Sequence, residues 1–351
     1  MLDPQGLAVR TMQSYSNFTV GGALSVNAHG RYVGHGPVGN SVRAIQIVLA
    51  DGQVMECDRE RNTDLFRAAI GGYGAIGVVT EVELDLDQNT RMERTIEPVP
   101  LADYPAYFAS KVLGDPNSVM HNADLVPPTF DAPIGITWRR TDKPATQPQR
   151  LVPRNLSYGL QRNGLLAMTE LPGVGSMRAP VTEFVARGSH EVAWRNHEAS
   201  LDVASLEPYT RRFSTYALDE FFVPPRHFEP FVRAMGRILR ERKVNAVNVS
   251  IRHSPPDALS LLPWAREEVF SFVLFYKQRI HLKAQAEVGA WTRELIDAAL
   301  AHEGRYYLPY QLHATREQFE RAYPEVAQLR ALKARVDPGK RLMNSLWQKY
   351  L

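Results

Sequence analysis

Residues Phe18–Asn40 read FTVGGALSVNAHGRYVGHGPVGN, and the interpretation of the whole sequence starts from this stretch. Six of its 23 residues are glycine and two are histidine, His29 and His35. This is too much glycine for an ordinary helix or strand, because glycine loses more conformational freedom on folding than other residues. Glycine is favoured where the backbone must come close to another group. The stretch therefore predicts irregular backbone that approaches a ligand.

A second glycine cluster follows a predicted hairpin. The cluster comprises Gly71, Gly72, Gly74 and Gly77. Residues 44–57 predict the hairpin, with an apolar strand, a two-residue turn at Asp51-Gly52 and a return strand. Two glycine clusters on either side of a hairpin predict a cradle of backbone groups for a large ligand. The alternative is that these glycines serve tight turns and close strand packing.

Residues 72–77 also match the spacing of the GxGxxG dinucleotide-binding fingerprint. That fingerprint requires a strand before it and a helix after it, so that the helix N-terminus meets the pyrophosphate. Here the order is reversed. A helix that begins near Asn62 or Thr63 precedes the glycines, and an alternating strand around Val82 follows them. We therefore reject a Rossmann fold.

Bulk composition narrows the class of protein. A chain of 351 residues with 44% hydrophobic residues is long enough for two domains. The formal charge is only +3 and the basic residues are scattered, so nucleic-acid binding is not predicted. The single cysteine, Cys57, and the lack of a signal-peptide pattern favour a cytoplasmic location. No apolar run predicts a membrane span, and the histidine spacing predicts no metal site.

The remaining sequence predicts alternating strands and helices. Strands are predicted at 221–223, 247–251 and 269–276, and amphipathic helices at 228–239 and 282–302. A capping box at Thr315–Gln318 opens a C-terminal helix, and another helix runs to about Val336. This order predicts an α+β fold with an antiparallel sheet.

The order of these motifs resembles the second half of the FAD-binding domain in the vanillyl-alcohol oxidase/p-cresol methylhydroxylase superfamily. Within it, the chain most resembles the sugar-oxidising branch of D-arabinono-1,4-lactone and other aldonolactone oxidases, alditol oxidase and decaprenylphosphoryl-ribose oxidase. The motifs at 19–23 and 27–30 carry the best match, and Glu220–Pro224 resembles a substrate-domain strand of that branch. The resemblance implies an FAD-dependent oxidoreductase that oxidises a CH–OH group of a sugar, sugar lactone or polyol.

The resemblance implies a partial FAD-binding domain of the vanillyl-alcohol oxidase type and an α+β substrate-cap domain with an antiparallel sheet. We expect the second half of the FAD-binding domain at 1–88, the cap domain at 89–304 and a C-terminal arm at 305–351. Family members carry roughly a hundred residues more, the size of a small domain, before the motif at 19–23. We therefore expect that this chain alone binds FAD poorly and that a second chain could supply the first FAD subdomain. The alternative function is a truncated, non-catalytic remnant or one subunit of a split flavoenzyme.

The resemblance also assigns the cofactor-binding residues. They are Gly21, Gly22, Ala23, His29, Gly30, Gly72, Gly74, Gly77 and Val78. His29 matches a histidine that lies beside the flavin and the substrate pocket in the sugar-oxidising branch. A lone histidine is otherwise more often a structural residue, and His35 is assigned that role.

Glu220 is the central substrate-binding residue of this interpretation. It adjoins Phe221 and Phe222 on an apolar strand, where a carboxylate needs a partner or a ligand. In alditol oxidase-like members a glutamate at this motif holds substrate hydroxyls. The alternative is a buried ion pair with Arg252. The expected substrate-binding residues, for a sugar-like small molecule, are Glu220, Arg252, Gln311 and His29.

The proposed oxidation also needs a base. Hydride transfer from an alcohol carbon to flavin requires removal of the hydroxyl proton. The sugar-oxidising branch usually supplies a lysine from the arm before the last helices, and here Tyr310 occupies that place. The candidate catalytic residues are therefore Tyr310, His313 and Glu220, with Gln311 as an orienting group.

Overall fold

The computed structural model describes residues 1–153, 156–170, 190–208 and 210–351. Within these ranges the strands form three antiparallel sheets, so the predicted α+β fold is confirmed. The strands are β1 Leu7–Val9, β2 Val42–Val48, β3 Val54–Asp58, β4 Val78–Leu84, β5 Leu86–Gln88, β6 Arg91–Pro98, β7 Ser118–Leu125, β8 Ile134–Arg140, β9 Val192–Trp194, β10 Ser214–Val223, β11 Ala246–Ser254, β12 Val269–Arg279 and β13 Arg305–Tyr306.

The helices lie between and after these strands. They are α1 Val20–Ser25, α2 Thr63–Ala69, α3 Tyr104–Tyr107, α4 Gly159–Glu170, α5 Arg195–Ala199, α6 Phe228–Glu241, α7 Leu282–Ala301, α8 Arg316–Ala322, α9 Val326–Val336 and α10 Ser345–Tyr350. None of the helices in the described ranges is long and apolar enough to cross a membrane.

Part of the glycine-rich stretch is helical, contrary to the sequence-based expectation. Residues Val20–Ser25 form α1, and the Thr19 hydroxyl caps it by accepting a hydrogen bond from Gly22 N at 3.0 Å. An N-cap of this kind stabilises a helix by about 1 kcal/mol, which offsets much of the cost of a glycine. The prediction of irregular backbone is therefore wrong for this segment.

The predicted hairpin belongs to a small sheet of strand order β3-β2-β4. Its turn contains Gly52 with a φ of 90°, the left-handed conformation that glycine adopts without strain. Ile45 and Ile47 of β2 are buried, while β4 begins at the exposed Val78. The first glycine stretch leads into the central strand β2, and the second glycine cluster leads into the edge strand β4.

The large sheet has the strand order β13-β10-β12-β11-β7-β8-β6-β9. One face of its central strands is apolar and packs against α6 and α7. The Phe231 ring of α6 lies 4.9 Å from Phe272, and Trp291 of α7 lies 4.9 Å from Tyr276. Burial of large aromatic side chains supplies most of the stability of such a layer.

The opposite face of the large sheet is polar. Side chains alternate along a strand, so the register of the strand pairs decides which residues share this face. Arg252 pairs with Ser271, Ser271 pairs with Phe222, and Ser250 pairs with Asp124. Glu220 shares this face because it lies two residues before Phe222. The sheet thus collects carboxylates, hydroxyls and a guanidinium on one surface.

The C-terminal arm packs back against the second glycine cluster. The predicted capping box at Thr315–Gln318 is confirmed at the start of α8, whereas α10 was not predicted. Lys333 of α9 is buried, and its ammonium donates hydrogen bonds to Ala75 O at 2.6 Å and Asp337 Oδ2 at 2.8 Å.

The domain boundaries at 88 and 304 stay a prediction.

We predict that Lys333→Met destabilises the protein by roughly 3 kcal/mol, because it leaves the buried Asp337 carboxylate without its cation. Burial alone would raise the pKa of Asp337, but Lys333 and two backbone N–H groups lower it to about 2. The stabilisation is therefore complete above the ordinary pKa of 3.8 and is lost as the pH falls towards about 2. Urea unfolding at pH 7 measures the effect.

The control is Lys340→Met, since Lys340 is exposed on the same arm. A denaturation midpoint for Lys333→Met equal to that of the control variant would contradict the structural role of Lys333.

Candidate functional site

The two glycine clusters lie next to each other, as the sequence predicted. Gly71 N donates a hydrogen bond to Leu24 O at 3.1 Å, and Tyr73 N donates one to Ser25 O at 2.9 Å. The second cluster is therefore bonded to the last turn of α1. Asn344 Nδ2 also donates to Tyr73 O at 2.7 Å, so the C-terminal arm holds the second cluster in place.

Some of the predicted cradle glycines are open. No heavy atom would lie within 4 Å of a Cβ at Gly21 or Gly74, and Gly74 has a φ of 70°. Gly21 and Gly22 are exposed, Ala23 is half-buried and Val78 is exposed. The backbone at these positions is accessible to a large ligand.

Other predicted cradle glycines are explained by packing inside the protein. A Cβ at Gly72 would lie 1.8 Å from Ala68 O, and one at Gly30 would lie 2.1 Å from Met12 O. A Cβ at Gly77 would lie 2.5 Å from the Ile47 side chain. At these three positions close approach of neighbouring chain requires glycine, whether or not a ligand is bound. Their role in cofactor binding stays a prediction.

Asn27 holds the loop that carries the motif histidine. It is fully buried and adopts the left-handed conformation with a φ of 49°. Its side chain donates to Asp257 Oδ2 at 2.8 Å and accepts from Gly39 N at 2.9 Å. Trp264 Nε1 donates to the Asn27 carbonyl at 2.9 Å. These bonds compensate the cost of an unusual backbone conformation and fix the direction of the next residues.

His29 and Glu220 form a buried pair. Nε2 of His29 lies 2.6 Å from Oε1 of Glu220, and the two residues are 5% and 3% exposed. The structure therefore joins the first glycine loop to the strand that was predicted to bind substrate. The alternative expectation of an ion pair between Glu220 and Arg252 is wrong, because His29 takes that position. Among the described residues, Nδ1 of His29 has no hydrogen-bond partner.

Two hydroxyl groups complete the surroundings of the Glu220 carboxylate. Ser271 Oγ donates to Oε1 at 2.5 Å, and Tyr310 Oη donates to Oε2 at 3.2 Å. Tyr307 N donates to the Glu220 carbonyl at 2.9 Å, which connects the arm to β10. We call His29, Glu220, Ser271 and Tyr310 the Glu220 cluster.

Burial and neighbouring charges decide whether Glu220 and Tyr310 are protonated. Burial alone would raise the pKa of Glu220, but the neighbouring His29, Arg252 and Ser271 outweigh it and hold the pKa below its ordinary value. Burial and the negative charge of Glu220 raise the pKa of Tyr310 well above its ordinary value. Glu220 is therefore a carboxylate and Tyr310 a neutral phenol near pH 7. A neutral phenol suits a hydrogen-bond donor better than a base.

His313 and Gln311 lie apart from the cluster. His313 Nε2 hydrogen-bonds with Gln311 Oε1 at 2.8 Å, and Gln311 Nε2 donates to Gln278 Oε1 at 3.1 Å. No hydrogen bond joins either residue to Glu220 in the described part of the chain. Burial, Arg293 and Lys349 lower the pKa of His313. The predicted roles of His313 and Gln311 in catalysis and substrate binding stay predictions.

Aromatic residues that sequence reasoning missed surround His29. The rings of Trp264 and Tyr307 lie 4.7 Å and 5.9 Å from the imidazole, and the Phe222 ring lies 5.7 Å from it. Tyr307 lies in the predicted C-terminal arm, but nothing in its spacing singled it out. Trp264 comes from a loop more than 230 positions from His29, so only the fold brings the two together.

Comparison with known proteins agrees with this arrangement. Residues 1–58 match the family described as FAD binding domain. A Neurospora crassa protein provisionally named D-arabinono-1,4-lactone oxidase is 42% identical over 81 residues, which are 23% of this chain and 15% of that protein. L-gulonolactone oxidase from Bos taurus is 23% identical over an alignment that covers 99% of this chain and 77% of the relative. The crystal structure of cholesterol oxidase from B. sterolicum has a TM-score of 0.67 at 14% identity and covers 100% of this chain and 78% of that one.

Residues 1–58 are thus similar to an FAD binding domain, and the fold of the chain is similar to that of cholesterol oxidase. The domain match indicates FAD as the cofactor. The matched part is only 15% of the first relative's length. That a first FAD subdomain precedes the present sequence or comes from a second chain stays a prediction.

The residues present fit part of an FAD site. The backbone at Gly21 is open and exposed, and a side chain there would occupy the space next to it. His29 offers a buried ring nitrogen that has no partner among the described residues. The backbone of Gly21–Ala23 and the ring of His29 are the groups that would hold the cofactor on this side.

We predict that Ser271→Ala raises the pKa of Glu220, because a hydroxyl bonded to a carboxylate favours its charged form. The control is Ser250→Ala, which removes a hydroxyl from the same sheet face without touching Glu220. Titration of the ¹³C-labelled glutamate carboxyl signals by NMR measures both variants. An unchanged Glu220 titration in Ser271→Ala would rule out this hydrogen bond as a control on its charge.

Proposed function

We propose that this protein is an FAD-dependent oxidoreductase that oxidises a CH–OH group of a sugar, sugar lactone or polyol. The observation that carries the proposal is the Glu220 cluster. It joins a buried carboxylate to the histidine of the segment that matches an FAD binding domain. The lactone oxidases among the relatives support the same class of reaction.

Residues of this chain bind the substrate hydroxyl and accept its proton in the proposed reaction. FAD, when bound, supplies the acceptor for the hydride. Glu220 holds the substrate hydroxyl and accepts its proton, for which it must be ionised, and its lowered pKa keeps it so. The proton taken from the substrate stays on the Glu220 carboxyl group, and the hydrogen bond of 2.6 Å from His29 Nε2 holds Oε1 in place.

Tyr310 acts as a positioning residue in this scheme. Its hydroxyl donates to Oε2 of Glu220, and its raised pKa keeps the donor proton in place. It therefore orients the carboxylate instead of removing a proton itself. The lysine expected from the sugar-oxidising branch is not needed if the Glu220 carboxylate takes that role.

A non-catalytic remnant is not favoured as the alternative. The hydrogen bonds within the Glu220 cluster form a connected network of buried polar groups, which the fold does not need for its stability. A second chain that completes the FAD site is supported by the exposure of Phe18 and Val20 beside Gly21, at 57% and 56%. A cytoplasmic location is supported by the free, buried thiol of Cys57.

We predict that sugars, sugar lactones or polyols bleach the flavin absorbance of the FAD-loaded protein under anaerobic conditions. Glu220→Gln should slow this reduction at least 100-fold, the usual effect of losing a general base, because an amide cannot accept the hydroxyl proton. Stopped-flow absorbance with a panel of these compounds measures the rate. FAD binding, followed by quenching of flavin fluorescence, should change little.

The control for this variant is Glu241→Gln, because Glu241 is exposed at the end of α6. Complete failure of the whole panel to reduce the bound flavin would overturn the proposed function. An unaffected rate in Glu220→Gln would leave the activity standing and remove Glu220 from its mechanism.

We predict a smaller effect for Tyr310→Phe. Loss of one hydrogen bond to a charged group costs about 1.5–3 kcal/mol, so the reduction rate should fall by roughly 10-fold to 100-fold. The acid limb of the pH–rate profile should move to higher pH, because the Glu220 carboxylate loses a donor. A variant with full turnover and an unchanged pH profile would show that Tyr310 has no part in the reaction.

A further inference from the structure

In the part of the chain that the structure describes, Arg252 has no bonded partner on the polar face of the large sheet. It lies on β11 beside Ser271 of β12 and is half-buried. Among the described residues its Nε is buried without a hydrogen-bond partner, and no ion pair joins its guanidinium to a carboxylate. Burying part of an arginine without such a partner costs free energy of folding, because its five N–H donors lose some of their hydrogen bonds to water.

The carboxylates near Arg252 are bonded to other groups. Arg252 pairs with Ser271, whose hydroxyl is bonded to Glu220, and Asp124 pairs with Ser250, two residues before Arg252. Glu220 is bonded to His29, however, and Asp124 Oδ1 accepts from Asn248 Nδ2 at 3.0 Å. Burial favours the neutral form of Asp124. Among the described residues, the positive charge of Arg252 therefore has no bonded counter-charge.

A second arginine behaves differently. Arg31 lies two residues after the motif histidine, and its guanidinium pairs with Glu198 at 3.2 Å. Among the described residues, Arg31 therefore has a carboxylate partner and Arg252 does not.

We propose that Arg252 binds the carboxylate of the substrate, so that the substrate is a sugar acid with its carboxylate close to the reacting hydroxyl. This inference rests on the proposed function, because Glu220 is taken as the residue that holds the hydroxyl. Arginine suits the role because its planar guanidinium binds a carboxylate through two parallel hydrogen bonds. Asn248 and Ser250 on the same strand offer polar groups for further substrate hydroxyls.

The strand order limits the length of such a substrate. Arg252 on β11 and Glu220 on β10 are separated by β12 alone, and neighbouring strands lie about 4.8 Å apart. Their backbones are therefore roughly 10 Å apart, and both side chains project from the same face. The remaining gap admits a carboxylate that is separated from the hydroxyl by one to a few carbon atoms.

The experiment compares sugar acids with their neutral counterparts. Aldonates of three to six carbons, from glycerate to gluconate, are titrated against the purified full chain by isothermal calorimetry, with and without FAD. The matched alditols and aldonolactones, which lack the free carboxylate, form the other two arms. We expect at least one aldonate to bind at least 10-fold more tightly than its alditol and lactone, and this preference to weaken at high salt.

Variants of Arg252 identify the group responsible. In Arg252→Met the preference for the aldonate should disappear while alditol binding is unchanged, and Arg252→Lys should retain part of it. The control is Arg237→Met, since Arg237 is exposed on the opposite, helix-covered side of the sheet. Thermal unfolding confirms that each variant is folded, and the wild-type comparison alone decides the preference if one of them is not.

Each outcome has a distinct meaning. Equal affinity of the wild-type protein for every aldonate and its neutral counterparts, or a preference retained in Arg252→Met, would overturn the inference about the carboxylate. Reduction of bound FAD by alditols or lactones in that case would leave the proposed function intact. Arg252-dependent aldonate binding without flavin reduction by any compound would instead support the acid site and remove the oxidoreductase function.

Discussion

The buried hydrogen bond between His29 and Glu220 is the contact on which the rest of the site depends. It links a loop of the FAD-binding segment to a central strand of the large sheet, over 191 residues of sequence. Removing one partner of such a pair leaves a buried charge or dipole uncompensated, at a cost of about 3–5 kcal/mol. The pair therefore aligns the two parts of the chain as well as setting the charge of Glu220.

The large sheet can carry this polar cluster because its two faces have different roles. Aromatic side chains such as Phe272 and Tyr276 pack against α6 and α7 and provide the stability of the layer. The opposite face is thus free to hold groups that a folding core would exclude, including Ser271 and Arg252. The period-two alternation of the strands separates this polar face from the face that provides stability.

The glycine clusters combine two physical requirements that look the same in sequence. Gly72 and Gly77 are glycine because neighbouring atoms leave no space for a Cβ. Gly21 has open space and an exposed backbone, which suits contact with a ligand. Only the positions of atoms distant in sequence separate these cases, so the count of glycines overestimates the size of the cradle.

The sequence by itself determined the elements whose causes are local. The turn at Asp51-Gly52, the helix of 282–301 and the capping box at Thr315 follow from neighbouring residues, and the ordered motifs indicated the FAD-linked class. The tertiary structure decided which residues contact one another in the site. Glu220 could have paired with Arg252 or with a ligand by sequence alone, yet it pairs with His29, and Trp264 enters from a distant loop. These contacts depend on strand order and register, which are set by long-range packing and leave no pattern in the local sequence.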